Sequence, residues 1–230
     1  MGFATTAEAF RNFLDENHLP EKIYNLLNQL NIDDIAALKK AGSTIRQMII
    51  DAPFLSEFER DLKTFYEEMK QQSGKEKISV AVRSSATAED LPDASFAGQQ
   101  ETFLNVQGFE HVLKAVKEVF ASLFNDRAIA YRVHHGFEHS KVALSAGNQY
   151  MVRSDIGGSG VTFSIDTESG FTDVVFITAA YGLGETVVQG IVNPDEYYLY
   201  KSNLEASRPA ILRKICGTKQ IKMIYDEVGA

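Results

Sequence analysis

The sequence predicts an α+β protein, helical over residues 1–75, followed by an α+β body rich in antiparallel strands over 76–230. Three observations carry that reading. Apolar residues recur at i, i+3, i+4 and i+7 as far as Met69. A polar stretch, Gln71-Gln72-Ser73-Gly74-Lys75-Glu76-Lys77, then interrupts as a linker. Beyond it the apolar residues alternate, as strands require.

In the helical segment, Thr5 and Glu8 have capping-box spacing, and Phe10, Phe13 and Leu14 follow on one face. Ile23, Leu26, Leu27 and Leu30 form a second stripe, and Ile45, Met48 and Ile49 a third. Pro53 interrupts because it lacks a backbone donor. Ser56 and Glu59 predict another capping box before Phe58, Leu62, Phe65 and Met69. These stripes are expected to be core. In the body, Ile78, Val80 and Val82 alternate with Ser79, Ala81 and Arg83, a half-buried strand. A helix is predicted where Val112, Val116, Val119, Phe120, Leu123 and Phe124 share a face. Further strands are predicted over 142–152, 161–165, 174–179, 196–200, 211–215 and 221–225, with Gly157-Gly158-Ser159-Gly160 as a hairpin turn. There is no internal repeat.

Composition narrows the function classes. With 44% hydrophobic and 23% charged residues, the chain reads as an ordinary globular protein able to build a core. The formal net charge is −8 and the acidic residues are scattered, which argues against non-specific nucleic-acid binding and its basic patch. It does not argue against an anionic nucleotide, whose phosphates need only a few local donors. A single cysteine, Cys216, excludes an intrachain disulfide and a multi-cysteine zinc site, and fits a reducing compartment. No apolar run approaches the roughly 18 residues of a membrane span. Met1-Gly2-Phe3-Ala4-Thr5-Thr6 has neither the basic nor the apolar region of a signal peptide, so the cytoplasm is expected. His18, His111, His134, His135 and His139 are expected to be solvated or capping residues.

The stretch that carries chemistry runs from Val82 to Thr102: Val82-Arg83-Ser84-Ser85, then a run of small and polar residues, then Phe96-Ala97-Gly98-Gln99-Gln100-Glu101-Thr102. A strand delivers Arg83 on the face opposite its apolar residues, followed by two hydroxyls. Arginine offers a fixed fork of donors matched to phosphate oxygens. A small-residue loop lets backbone N–H groups approach a polyphosphate. Neither a Gly-Lys-Ser/Thr phosphate loop nor G-x-G-x-x-G after a strand is present. A second reading fits the same residues: an edge strand and a long surface loop, with Arg83 in a surface ion pair.

The segment Arg83–Thr102 resembles the signature of the ATP-grasp nucleotide-binding domain of the phosphoenolpyruvate synthases and their relatives, the pyruvate, phosphate dikinases and the rifampicin-inactivating phosphotransferases. Also similar are Phe124-Asn125-Asp126-Arg127-Ala128, Phe163-Ser164-Ile165-Asp166-Thr167-Glu168-Ser169-Gly170 and Tyr181-Gly182-Leu183-Gly184-Glu185. Val188-Gln189-Gly190-Ile191-Val192-Asn193-Pro194-Asp195-Glu196 is similar to the synthases in particular. The dikinases typically carry a methionine-rich loop where this chain has Ser95-Phe96-Ala97-Gly98-Gln99-Gln100, which favours the synthase branch.

The resemblance implies an ATP-grasp-like α+β fold and roles for individual residues. Arg83, with Ser84 beside it, would contact the ATP phosphates. Gly98, Gln99 and Thr102 would belong to the glycine-rich loop over the triphosphate. Gln149 would line the adenine pocket, and Glu185 would bind ribose or Mg²⁺ or merely cap a turn. In the whole reaction, ATP, pyruvate and water give AMP, phosphoenolpyruvate and phosphate through a phosphohistidine. The partners implied are ATP, a phosphohistidine domain and a pyruvate-binding barrel in the same polypeptide, and a second copy in a homodimer. Mg²⁺ is the implied companion ion, with ligands outside this sequence. The family's Gly-Gly-Lys-Asn, Gln-Ala-Arg-Pro and Thr-Ser-His motifs have no match here. The chain is therefore expected to be truncated at both ends, and to lack turnover and tight nucleotide affinity by itself. A related phosphotransferase, or a folded module without tight nucleotide binding, are the alternative expectations.

Overall fold

The computed structural model describes residues 1–87, 90–91, 94–95 and 101–225, with backbone alone at 90–91 and 94–95. The chain divides into two compact units, Met1–Met151 and Val152–Ala230. The change of period near residue 75 falls inside the first unit, where the N-terminal helices and the following strands share one core.

The first unit opens with a short strand, β1 (Gly2–Ala4), where helix was expected. Four helices follow: α1 (Ala7–Glu16), α2 (Pro20–Asn28), α3 (Ile35–Asp51) and α4 (Ser56–Ser73). Next come β2 (Ser79–Ala86), the short antiparallel pair β3 (Asp90–Leu91) and β4 (Ala94–Ser95), and β5 (Thr102–Gln107). Helices α5 (Phe109–Ser122) and α6 (Asp126–His134) precede the last strand, β6 (Leu144–Tyr150). The main sheet is antiparallel in the order β1-β6-β2-β5, so β2 is an interior strand.

Two capping expectations are corrected. Thr6, not Thr5, caps α1, its Oγ1 accepting from the Ala9 N–H at 3.0 Å. Thr5 is still in the sheet register, exchanging bonds with Ala146 through its own N–H and its Oγ1. At α4, Ser56 is already helical, and Leu55 precedes it without a side-chain cap. The polar stretch after α4 begins inside the helix; Gly74, at φ +65°, ends it in the left-handed conformation.

The predicted stripes form the core. Helix α5 lays Val112, Val116, Val119 and Phe120, all fully buried, against the sheet and against α3 and α4. Phe10, Phe13 and Phe54 surround Phe120, with ring centroids 5.1, 5.7 and 6.0 Å from it. Each such side chain contributes about 1.5–3 kcal/mol through burial. Val80 and Val82 on β2 and Leu144 and Ala146 on β6 present the facing side of the sheet.

Two arginines fasten the α5–α6 junction. Arg46 of α3 donates through Nη1 to Phe124 O at 2.8 Å and to Asp126 Oδ1 at 3.0 Å. Gly42 makes the room: a Cβ there would stand 2.5 Å from Asp126 Oδ1. Arg132, fully buried, donates to Leu123 O at 2.6 Å and to His139 Nδ1 at 2.9 Å. His139 is thus half-buried and an acceptor, which corrects its expected solvation. From the same junction, Asn125 Nδ2 donates to Glu101 Oε1 at 3.1 Å, next to the start of β5.

The second unit is an antiparallel meander: β7 (Gly158–Phe163), β8 (Val174–Tyr181), β9 (Asp195–Tyr200) and β10 (Ile211–Ile215), with short helices α7 (Glu185–Val188) and α8 (Lys201–Glu205). Gly158-Ser159-Gly160 is strand, not the expected hairpin turn. Gly160 is required there because a Cβ would stand 2.1 Å from Thr178 O on β8. The strand expected over 221–225 is reduced to one isolated bridge between Met223 and Gly182. Beyond β10, Lys219 Nζ pairs with Asp195 and donates to Gly217 O at 2.8 Å, folding the exposed Cys216 turn back onto β9.

Candidate nucleotide-binding face

Strand alternation sorts the candidates by face. Val80, Val82 and Ala86 of β2 point into the core, so Arg83 and Ser85 lie on the open side. Register extends that open face across the sheet. Arg83 pairs with Thr102 of β5 on one flank and Gly147 of β6 on the other, and Gly147 pairs with Ala4 of β1. Two residues along β6, Gln149 pairs with Ala81 and Gly2 on the same face. Arg83, Thr102 and Gln149 are all exposed.

Ser84 is different. It pairs with fully buried Ala146 and shares the face of Val82 and Ala86, so its hydroxyl is not presented beside the Arg83 guanidinium. Ser85 occupies that side instead. The sequence pointed to Ser84 beside Arg83, whereas strand alternation puts Ser84 on the opposite face and Ser85 on that of the arginine.

Gly2, Ala4, Arg83, Gly147 and Gln149 line an open depression of about 470 Å³, within the range of small-molecule sites. Strand β1 forms one edge of it, and three residues are too short to show alternation in a sequence. Among the described residues no carboxylate lies within salt-bridge distance of Arg83. A guanidinium with no ion pair among the described residues, on an interior strand, has a donor fork suited to an anion. The expectation of an edge strand is corrected, since β2 lies between β6 and β5.

Gly98 and Gln99 lie outside the described residues. Glu185 belongs to the second unit, where it opens α7; its Oε1 accepts from Gln189 Nε2 at 2.8 Å. No group of three or more His, Cys, Asp and Glu side chains able to hold a metal ion occurs among the described residues. No helix among them is long and apolar enough to cross a membrane.

The family model described as "Pyruvate phosphate dikinase, AMP/ATP-binding domain" matches residues 1–230. The chain belongs to this family. The observed mixture of helices and antiparallel sheets agrees with the α+β, ATP-grasp-like class expected of such an AMP/ATP-binding domain. The chain is 63% identical over 224 residues to phosphoenolpyruvate synthase of Escherichia coli (strain K12), covering 97% of this chain and 28% of that relative. It is 61% identical over 230 residues to the Pseudomonas aeruginosa phosphoenolpyruvate synthase, covering all of this chain and 29% of that relative. A probable phosphoenolpyruvate synthase of Methanocaldococcus jannaschii is 43% identical over 99% of this chain and 18% of its own length. The chain therefore spans less than a third of the length of the curated relatives it matches.

Proposed function

We propose that this chain is the ATP-binding part of a phosphoenolpyruvate synthase, which makes phosphoenolpyruvate, AMP and phosphate from ATP, pyruvate and water through a phosphohistidine. The observation that carries the reading is Arg83: a guanidinium without a described counter-ion, on an interior strand, at the centre of an open face, in a chain of this family. In this role Arg83 neutralises charge on the phosphate oxygens, and Thr102, directly across the ladder, offers a hydroxyl to the same anion. Gln149 presents an amide donor and acceptor about 7 Å along β6 from Gly147, the spacing of two strand residues, suited to a purine edge.

The described residues offer Mg²⁺ no cluster of three ligands. An ion held mostly by water and phosphate oxygens needs fewer, and no residue of this chain is assigned to it. The phosphohistidine and pyruvate-binding parts belong, on this reading, to other portions of the same polypeptide, which forms a homodimer in the cytoplasm. The chain alone binds nucleotide weakly and does not turn over.

Amide spectra of the isotope-labelled chain, titrated with Mg-ATP to millimolar concentration, test this reading beside Arg83→Ala. Shifts clustered on β2, β5 and β6, weakened about tenfold in Arg83→Ala, a loss of roughly 1.4 kcal/mol, are expected. Shifts of equal affinity in both proteins would move the site elsewhere.

A further inference from the structure

We infer that Gly147 is a further contact of this site, its missing side chain letting the sugar–phosphate part of a nucleotide lie against β6 beside Arg83. The inference rests on the reading of the open face as the ATP site.

The argument begins with what the fold demands of each glycine. In the first unit, Gly74, Gly108 and Gly136 have φ of +65°, +86° and +67°, where side chains are strained. Gly2 and Gly42 have no room: a Cβ would stand 2.6 Å from Asn148 O and 2.5 Å from Asp126 Oδ1, respectively. Gly147 answers to neither constraint. It sits in regular strand backbone, and a Cβ there would meet only Arg83 O, at 3.7 Å, an ordinary contact. Among the described residues of this unit it is the one glycine that neither conformation nor packing requires.

A glycine inside a strand weakens that strand, and its usual reason is close approach by another backbone or a ligand. No other described backbone atom comes within 4 Å of the Cβ position. Among the described residues nothing else supplies that approach, and a ligand on the open face would. Position selects which part of it: Gly147 is directly opposite Arg83, with Ala4 on its other flank and Gln149 two residues along the same strand. A nucleotide with phosphates at Arg83 and base at Gln149 carries its sugar and α-phosphate over Gly147.

Gly147→Ala and Gly147→Val test this, since stability and binding should move in opposite directions. Both variants are expected to keep the folded amide spectrum with a Tm at or above that of the unmodified chain. Mg-ATP affinity, followed by the same amide titration, is expected to fall at least tenfold in Gly147→Val and less in Gly147→Ala. Binding by Gly147→Val within twofold of the unmodified chain would overturn the inference. Loss of the folded spectrum in Gly147→Ala would overturn it too, because the fold would then account for the glycine. Arg83→Ala separates the two levels. If it weakens binding while Gly147→Val does not, only the role of Gly147 fails. If neither variant alters binding, or the unmodified chain shows no shifts at millimolar Mg-ATP, the site reading fails as well.

Discussion

Arg132 holds the buried side of His139 in its neutral form beneath the α5–α6 junction. Arg132 donates through Nε to Nδ1 of His139 at 2.9 Å, which requires that nitrogen to be unprotonated. Burial and the adjacent guanidinium push the imidazole down to about 4, while burial lowers Arg132 only to about 10, so it stays charged at neutral pH.

This pair makes stability depend on pH in a defined window. The unfolded chain protonates His139 near its ordinary 6.5, whereas the folded chain resists until about 4. The contribution is fully present above pH 6.5 and is lost as pH falls through that interval. Melting temperature should therefore drop between pH 7 and pH 4, and less steeply in His139→Gln, which keeps an acceptor for Arg132 but does not titrate. Parallel profiles for the two proteins would remove His139 from the explanation.

Arg132→Ala should cost far more than a surface substitution. It empties a fully buried position and strips a donor from Leu123 O. A loss of about 3–5 kcal/mol is expected in urea unfolding. A loss under about 1 kcal/mol would mean that the junction repacks without it.

Gly42→Ala should destabilise despite the better helix propensity of alanine. The added methyl would meet Asp126 Oδ1, Arg46 Nη1 and Phe124 O at 2.5, 2.9 and 3.2 Å. A cost of about 1–3 kcal/mol follows from overpacking. An unchanged urea midpoint would show that the Arg46–Asp126 pair can move aside freely.

The faces of β2 predict opposite results for adjacent serines. Ser84→Ala should leave Mg-ATP affinity within about twofold, a difference near 0.4 kcal/mol, while Ser85→Ala is the change that alters shifts near Arg83. The reverse ranking, read by amide titration, would contradict the register of β2 with β6.

Much of this was legible in the sequence where side chains decide the structure. The α5 stripe and the Val80–Val82 alternation survive into the core because burial selects those spacings. The misread places are those where backbone geometry or partner strands decide. Thr5 and Thr6 offer the same hydroxyl one residue apart, and only pairing with Ala146 assigns Thr5 to the sheet. Gly158-Ser159-Gly160 looks like a turn locally, but pairing with β8 makes it strand, with Ala180 close to Gly158 and Thr178 close to Gly160. In the candidate site, the chemistry of Arg83 makes it a candidate from sequence alone, whereas the distinction between Ser84 and Ser85, and the edge supplied by β1, exist only once register is known.

Among the described residues, the contiguous apolar core draws its buried members from Phe10 to Ala146, whereas the second unit buries only a handful of apolar residues, Val174, Ala180, Leu183, Val192 and Ala210. Resistance to a protease should be divided the same way, since cleavage samples whichever segment opens at least cost. Brief digestion should trim the chain from its C-terminal side toward residue 151. The surviving piece would still carry Arg83, Thr102, Gly147 and Gln149 together, a smaller scaffold for the proposed anion-binding face.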